Sequence, residues 1–364
     1  MLDRIHYFAG VLIWVFIFLA APGLAGAEDY EQALQLGRHA ACQAAEMLDV
    51  SWSEQEAIVL TNAGYARAGG SSTQGCLDGL SKETGASLGK SSMIKLQARF
   101  DQPLWFAFYV PESGQAVYLQ LNNKAELKES SQKGDQELFE VRDKARIDSD
   151  YLFEHPEKFE EYSAENLFGT NLFRVIAAAN LVAQDVPQDM LQCIQPHDHY
   201  CPGVTSGVLL ARFIEKNILA DAPDAECFVL SLQPWCKEDA LQAVLNVTPG
   251  KRSYGTYYPE QDEVKAWPSP LDRTSSIVFV RKEDGPWQGW MLEFDFDQVR
   301  KEFPGPKPGS GALDKLALGL WMTETLDDSG RFVSVLKKFE LEKGQNPRDF
   351  LRPEQSLLQE LAAK

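Results

Sequence analysis

The stretch Gln195-Pro196-His197-Asp198-His199-Tyr200-Cys201-Pro202-Gly203 places two imidazoles and a thiol at alternate positions. Imidazole nitrogen and thiolate sulfur are donors that suit borderline-soft divalent ions such as zinc, nickel or cobalt. Side chains alternate between faces in an extended loop, so His197, His199 and Cys201 share a parity and can converge. A second cysteine, Cys236, stands before Lys237-Glu238-Asp239-Ala240-Leu241-Gln242. Brought in from another element, it would complete a tetrahedral set. His199, Cys201 and Cys236 lead as ligands, His197 is the candidate fourth, and Asp198 can orient a ligand histidine from outside.

Both cysteines adjoin expected helix starts. Pro202 suits a first helical position, and Val204 to Lys216 has helical apolar spacing. Cys236 precedes a helix over Lys237 to Leu245, with Asp239 in its first turn. Helix N-termini favour negative charge, so both thiols are expected to ionise more easily than free cysteine. A thiolate is a ligand or a nucleophile, which makes Cys236 and Asp239 the candidate catalytic residues. Helix capping is the alternative for Asp239. Beyond the helix, Thr248-Pro249-Gly250-Lys251 is a turn that can offer N–H groups and a cation to an anion. Thr248, Gly250 and Lys251 are therefore the candidate substrate- or cofactor-binding residues.

The elements that position these groups come from a chain of 364 residues, long enough for two domains, with 44% apolar residues to fill their cores. A net charge of -18 repels phosphate backbones and argues against nucleic acid as a partner. The apolar run Phe8 to Ala21 behind Arg4, a break at Pro22-Gly23 and the small residues Ala25-Gly26-Ala27 read as a signal peptide cleaved after Ala27. An N-terminal anchor is the alternative. The expected location is exported, periplasmic. In an oxidising compartment the six cysteines, Cys42, Cys76, Cys193, Cys201, Cys227 and Cys236, must also be weighed as disulfides. A Cys201–Cys236 disulfide would explain both without a metal. Cys193 and Cys227 read as a disulfide or as buried small apolar residues.

The mature chain reads as one unit repeated. Asp78, Leu80, Gly89 and Lys90 fall without a gap on Asp239, Leu241, Gly250 and Lys251, with Ser87 on Thr248. A strand-like run precedes each segment, and a hairpin-like pair follows each, at Leu104 to Leu121 and Ser276 to Phe294. The first copy has His39 and Cys42 on an alanine-rich helix, more in keeping with core than with a site. It also places Gly75, not Cys76, at the equivalent of Cys236. The expected organisation is a signal peptide 1–27, a degenerate unit 28–125, a charged helical linker 126–165, a metal-binding domain 166–345 and a polar tail 346–364.

The motif His197-Asp198-His199-Tyr200-Cys201-Pro202-Gly203-Val204 with Gly207 resembles the signature of the FmdE family, the formylmethanofuran dehydrogenase-like proteins. That signature reads roughly His-Gly-His-x-Cys-Pro-Gly, with a glycine four further on. Cys236-Lys237-Glu238-Asp239-Ala240-Leu241-Gln242 and Thr248-Pro249-Gly250-Lys251 are similar to its second signature. The resemblance covers about 190–255. It implies an α+β fold, commonly dimeric, with a metal held by His and Cys, zinc first with nickel or cobalt as alternatives. Two fused FmdE-like units would then form an intrachain pseudo-dimer. The chain departs from the pattern in Asp198, in Asn246 and Val247 where Gly-Cys is usual, and in lacking a following zinc finger. The leading reading is an exported metal-binding protein acting on a metal ion or small molecule, with catalysis undecided. The alternatives are a metal carrier or accessory to a periplasmic molybdenum or tungsten enzyme, and a disulfide-linked structural or redox protein.

Overall fold

The computed structural model describes residues 23–122, 127, 135–283, 285–306, 309 and 311–351. The expected signal peptide lies outside the described residues as far as position 22, and residues 352–364 of the tail also lie outside them. No described helix is long and apolar enough to cross a membrane. Helices and mixed sheets make this an α+β protein. The chain divides into two compact units, residues 1–148 with 161–175, and residues 149–160 with 176–364.

In the first unit, helix α1 (Gly23–Leu48) leads to strand β1 (Ile58–Thr61), helix α2 (Gly75–Thr84) and strand β2 (Met93–Lys95). Strands β3 (Trp105–Val110), β4 (Gln115–Leu121) and β5 (Phe139–Arg146) follow. The sheet order is β2-β1-β3-β4-β5, with β1 parallel to β2 and the other neighbours antiparallel. Every residue of β3 is buried, the mark of a strand covered on both faces. Leu36 of α1, Val59, Phe106, Phe108, Val117 and Leu119 meet in the core.

Strand β5 falls inside 126–165, the segment read from sequence as a charged helical linker. It pairs along β4 from Gln115↔Arg146 to Gln120↔Val141. The charges misled because β5 is an edge strand. Glu140 and Lys144 are exposed, while Phe139 and Ala145 are buried. Charge on an edge strand blocks sheet-to-sheet association.

In the second unit, helices α3 (Gln188–His197) and α4 (Pro202–Ile214) precede strand β6 (Glu226–Leu232). Helix α5 (Lys237–Leu245) and strands β7 (Tyr254–Tyr257), β8 (Ser276–Arg281) and β9 (Gln288–Phe294) follow. Helices α6 (Phe296–Glu302) and α7 (Ala312–Thr323) then lead to β10 (Val333–Glu340). The sheet order is β7-β6-β8-β9-β10, again with one parallel pair, β6 and β7, and antiparallel neighbours beyond. Leu230, Ile277, Phe279 and Met291 fill the core, and Phe350 stacks on Phe279 at 5.7 Å. The described part of the 346–364 tail thus contributes to that core.

The two sheets share their strand order and senses, and the turn after the crossover helix is built twice from the same bonds. Gly85 and Asn246 are left-handed residues ending α2 and α5 (φ 71° and 54°). The ammonium groups of Lys90 and Lys251 donate back to those residues' carbonyls at 3.0 and 3.1 Å. Ser87 N donates to Ser92 Oγ at 3.2 Å, and Thr248 N to Ser253 Oγ at 3.1 Å. Ser91 and Arg252 both have φ 58°.

Candidate metal centre

Helices α3, α4 and α5 pack on one another, and their ends build the site. Helix α3 stops at His197 because Asp198 turns left-handed (φ 65°). Asp tolerates that conformation better than most residues, since its short side chain bonds locally, and glycine adopts it freely. Asp198 thus meets a backbone requirement that glycine would also meet. Asn246 at the end of α5 has the same left-handed geometry. Tyr200 is fully buried, with its hydroxyl 3.1 Å from Thr205 Oγ1, and anchors the turn from the opposite side. Cys201 is extended (φ -157°, ψ 165°) and caps α4, with Pro202 at its first position. Cys236 caps α5.

The donor atoms of His197, His199, Cys201 and Cys236 all lie within 4.8 Å of one another. They form a group that could hold a metal ion, and no other such group of three or more exists among the described residues. The geometric reason differs from the alternation expected from sequence. His197 is helical, Asp198 reverses the chain, and only the approach to Cys201 is extended.

The outer shell leaves one nitrogen of each imidazole for the cluster. His197 Nδ1 lies 2.7 Å from Asp239 Oδ2, and its Nε2 lies 3.8 Å from Cys201 Sγ. His199 Nδ1 lies 3.0 Å from Asp198 Oδ1 and 3.1 Å from the His197 carbonyl. A carboxylate on the far nitrogen sets the ring and raises the basicity of the near one. Asp198 was expected to do this. Asp239, expected as a catalytic or capping residue, does it for His197.

Small residues permit the close packing. A Cβ on Gly203 would lie 2.8 Å from Cys236 Cβ and 3.3 Å from its sulfur. A Cβ on Gly207 would lie 2.7 Å from Ala240 Cβ and 2.8 Å from Lys237 Cα. Below α5, Lys237 and Glu238 are buried and paired with each other and with Ser231, and Glu238 also accepts from Trp235 N. This brace for the Cys236 turn was missed from sequence. Its one signal is Ser231, a polar residue inside an apolar strand.

Metal-free electrostatics also depart from expectation. Both thiols were expected to ionise easily. Cys236 does, but the Cys201 thiol donates to Cys236, which raises Cys201, and its burial adds to the rise. Cys236 is pushed down by that same hydrogen bond and by His197. Two sulfurs in contact share one proton. Burial pulls His197 down, but Asp239 and Cys236 outweigh it and lift it from 6.5 to about 9. All six cysteines are unpaired. Cys193 is buried with its sulfur on the Asp189 carbonyl at 3.0 Å, and Cys227 is half-buried.

Thr248, Gly250 and Lys251 are not brought to the cluster. They lie past the C-terminal end of α5, whereas Cys236 caps its N-terminus, about 13 Å away along nine residues. Thr248 Oγ1 accepts from Lys251 N at 3.3 Å, and Lys251 closes the helix on Asn246. Trp235 is half-exposed, edge-on to Phe296 at 5.1 Å, and helps to wall a cavity of about 390 Å³. In the first unit, Gly75 opens α2 and Asp78 accepts from the Tyr30 hydroxyl. His39 lies mid-helix, stacked near Phe139 at 6.0 Å, and Cys42 is exposed.

Residues 196–286 match the family model FmdE, Molybdenum formylmethanofuran dehydrogenase operon. This segment is an FmdE domain. It contains all four clustered donors and the αβ turn that follows them. No curated protein is matched by the chain.

Zinc bonds of about 2.3 Å to sulfur and 2.0–2.1 Å to nitrogen put tetrahedral ligand atoms roughly 3.3–3.8 Å apart. The FmdE cluster, at 4.8 Å or less, needs a contraction of about 1 Å to reach that geometry. Two imidazoles and two sulfurs are a donor set that zinc, nickel and cobalt accept. The residues fit such an ion.

Proposed function

We propose that this chain is an exported protein that holds one divalent transition-metal ion on His197, His199, Cys201 and Cys236. Zinc is the first choice, with nickel and cobalt as alternatives. The observation that carries the reading is four donors within 4.8 Å, with each imidazole held from behind by an aspartate. Metal analysis of protein purified from its native compartment should find one ion per chain. A Cys201–Cys236 disulfide with no metal under oxidising conditions would replace this reading with a structural-thiol one.

Four protein donors fill a tetrahedral shell, whereas catalytic zinc keeps one position open. Cys236 is then a ligand and Asp239 a positioning group. We therefore favour metal holding over catalysis by this pair. Exchange into a chelator separates the two, since a carrier releases metal readily and a catalytic site slowly.

Export rests on the Phe8 to Ala21 run and the Ala25-Gly26-Ala27 site. The mature protein should begin at Glu28, and a start at Met1 in a membrane fraction would make the segment an anchor. The first unit is proposed as a degenerate copy of the second, supported by the common strand order and the twice-built lysine turn. Two copies in one chain would stand in for a dimer, so sedimentation should give a monomer.

A further inference from the structure

A cavity of about 410 Å³ opens in the second unit beside the Lys251 turn, at the opposite end of α5 from the metal cluster. Its wall carries three cations, Lys251, Arg252 and Arg348, in a chain whose net charge is -18. The acid on that wall, Glu226, is already paired with Arg281 Nη2 at 2.6 Å. Arg252 makes no side-chain hydrogen bond or ion pair among the described residues, and Arg348 commits its Nε to Asn346 at 3.0 Å. Arg252 is moreover a bulky residue held left-handed, where the matching turn of the first unit has Ser91.

A second observation is independent of charge. Trp287 lines the same cavity, is only 7% exposed, and its indole Nε1 has no hydrogen-bond acceptor among the described residues. A buried N–H without an acceptor is costly, so native structures seldom retain one that nothing satisfies. Phe228 lines the same cavity, and the Arg281 guanidinium lies 4.9 Å over the indole ring. The volume lies in the range that takes a small organic molecule.

We infer that this cavity binds a small organic phosphate, its phosphate held by Lys251, Arg252 and Arg348 and its body laid against Trp287. The indole N–H donates to the phosphate or its ester oxygen. Guanidinium groups match phosphate oxygens in pairs, so two arginines and a lysine suit a dianion better than a single carboxylate.

Calorimetry on the full chain tests this with phenyl phosphate as the probe, and inorganic phosphate and benzoate as comparisons. Phenyl phosphate should bind saturably, one per chain, and more tightly than either comparison. Arg252→Ser, which installs the first unit's residue at an exposed position, and Arg348→Gln should each weaken it by roughly tenfold or more. Trp287→Phe keeps the ring, loses the donor and should weaken binding similarly. Bound metal should stay unchanged in Arg252→Ser. Absence of saturable binding, or unaltered affinity in both arginine variants, overturns the site. Tighter binding of benzoate overturns the phosphate assignment. Unaltered affinity in folded Trp287→Phe removes the indole from it.

Discussion

The hydrogen bond between Asp239 and His197 should be readable as a slope. His197 is lifted to about 9. At pH 7 only about one molecule in a hundred then has the neutral imidazole that a metal requires. Between pH 7 and 9, loss of that proton should raise metal affinity about tenfold per pH unit. Cys201, held protonated by Cys236, adds about another tenfold per unit, and the already ionised Cys236 adds none. Wild-type affinity should climb by roughly two decades per unit from these groups. Asp239→Asn keeps an oxygen near Nδ1, now 2.7 Å away, but removes the charge. His197 should then lose its proton at lower pH, with only Cys236 left to raise it, and the slope near pH 9 should fall toward one decade per unit. Absolute affinity at pH 9 should drop about 10–100-fold with the outer-shell carboxylate gone. Zinc competition against a chelator of known pH dependence, run from pH 6.5 to 9, measures both. Parallel wild-type and variant profiles would refute this coupling. The sign for metal-free stability is the reverse. A raised histidine stabilises the fold fully below 6.5, and this contribution, about 3 kcal/mol, is lost as pH rises through about 9.

Cys201→Ser and Cys236→Ser should each abolish stoichiometric metal by elemental analysis, while Cys42→Ser, on the exposed face of α1, should retain it. Gly207→Ala drives a methyl against the α5 backbone and should cost about 2 kcal/mol in urea unfolding. An unchanged midpoint would mean that α4 and α5 are not in close contact there. Asp198→Gly keeps the left-handed turn and should retain metal with at most about tenfold weaker binding. Asp198→Ala loses both the turn preference and the carboxylate and should bind more weakly than the glycine variant. Equal affinities for the two would show that φ at this position is not limiting.

The α+β class came from the family resemblance, while residue type and local spacing were enough to read the helix starts at Pro202 and Lys237 and the four clustered donors. These are local properties. Proline announces a helix's first turn, and imidazole and thiol announce soft-metal chemistry wherever they stand. The turns at Lys90 and Lys251 were legible for the same reason, since turn chemistry is local. The charged strand Phe139–Arg146 was not legible. Charge records exposure to water, and an edge strand and a linker are equally exposed; only hydrogen bonding to β4 separates them. Parity pointed to the correct donors through the wrong backbone, because Asp198 reverses direction only where helix α3 ends against its neighbours. The roles of Asp239, Lys251 and the cysteine pair were decided by tertiary structure. Which end of α5 a side chain meets, and which sulfur keeps the shared proton, depends on through-space contacts such as the 2.7 Å between His197 and Asp239, 42 residues apart, which sequence spacing does not encode.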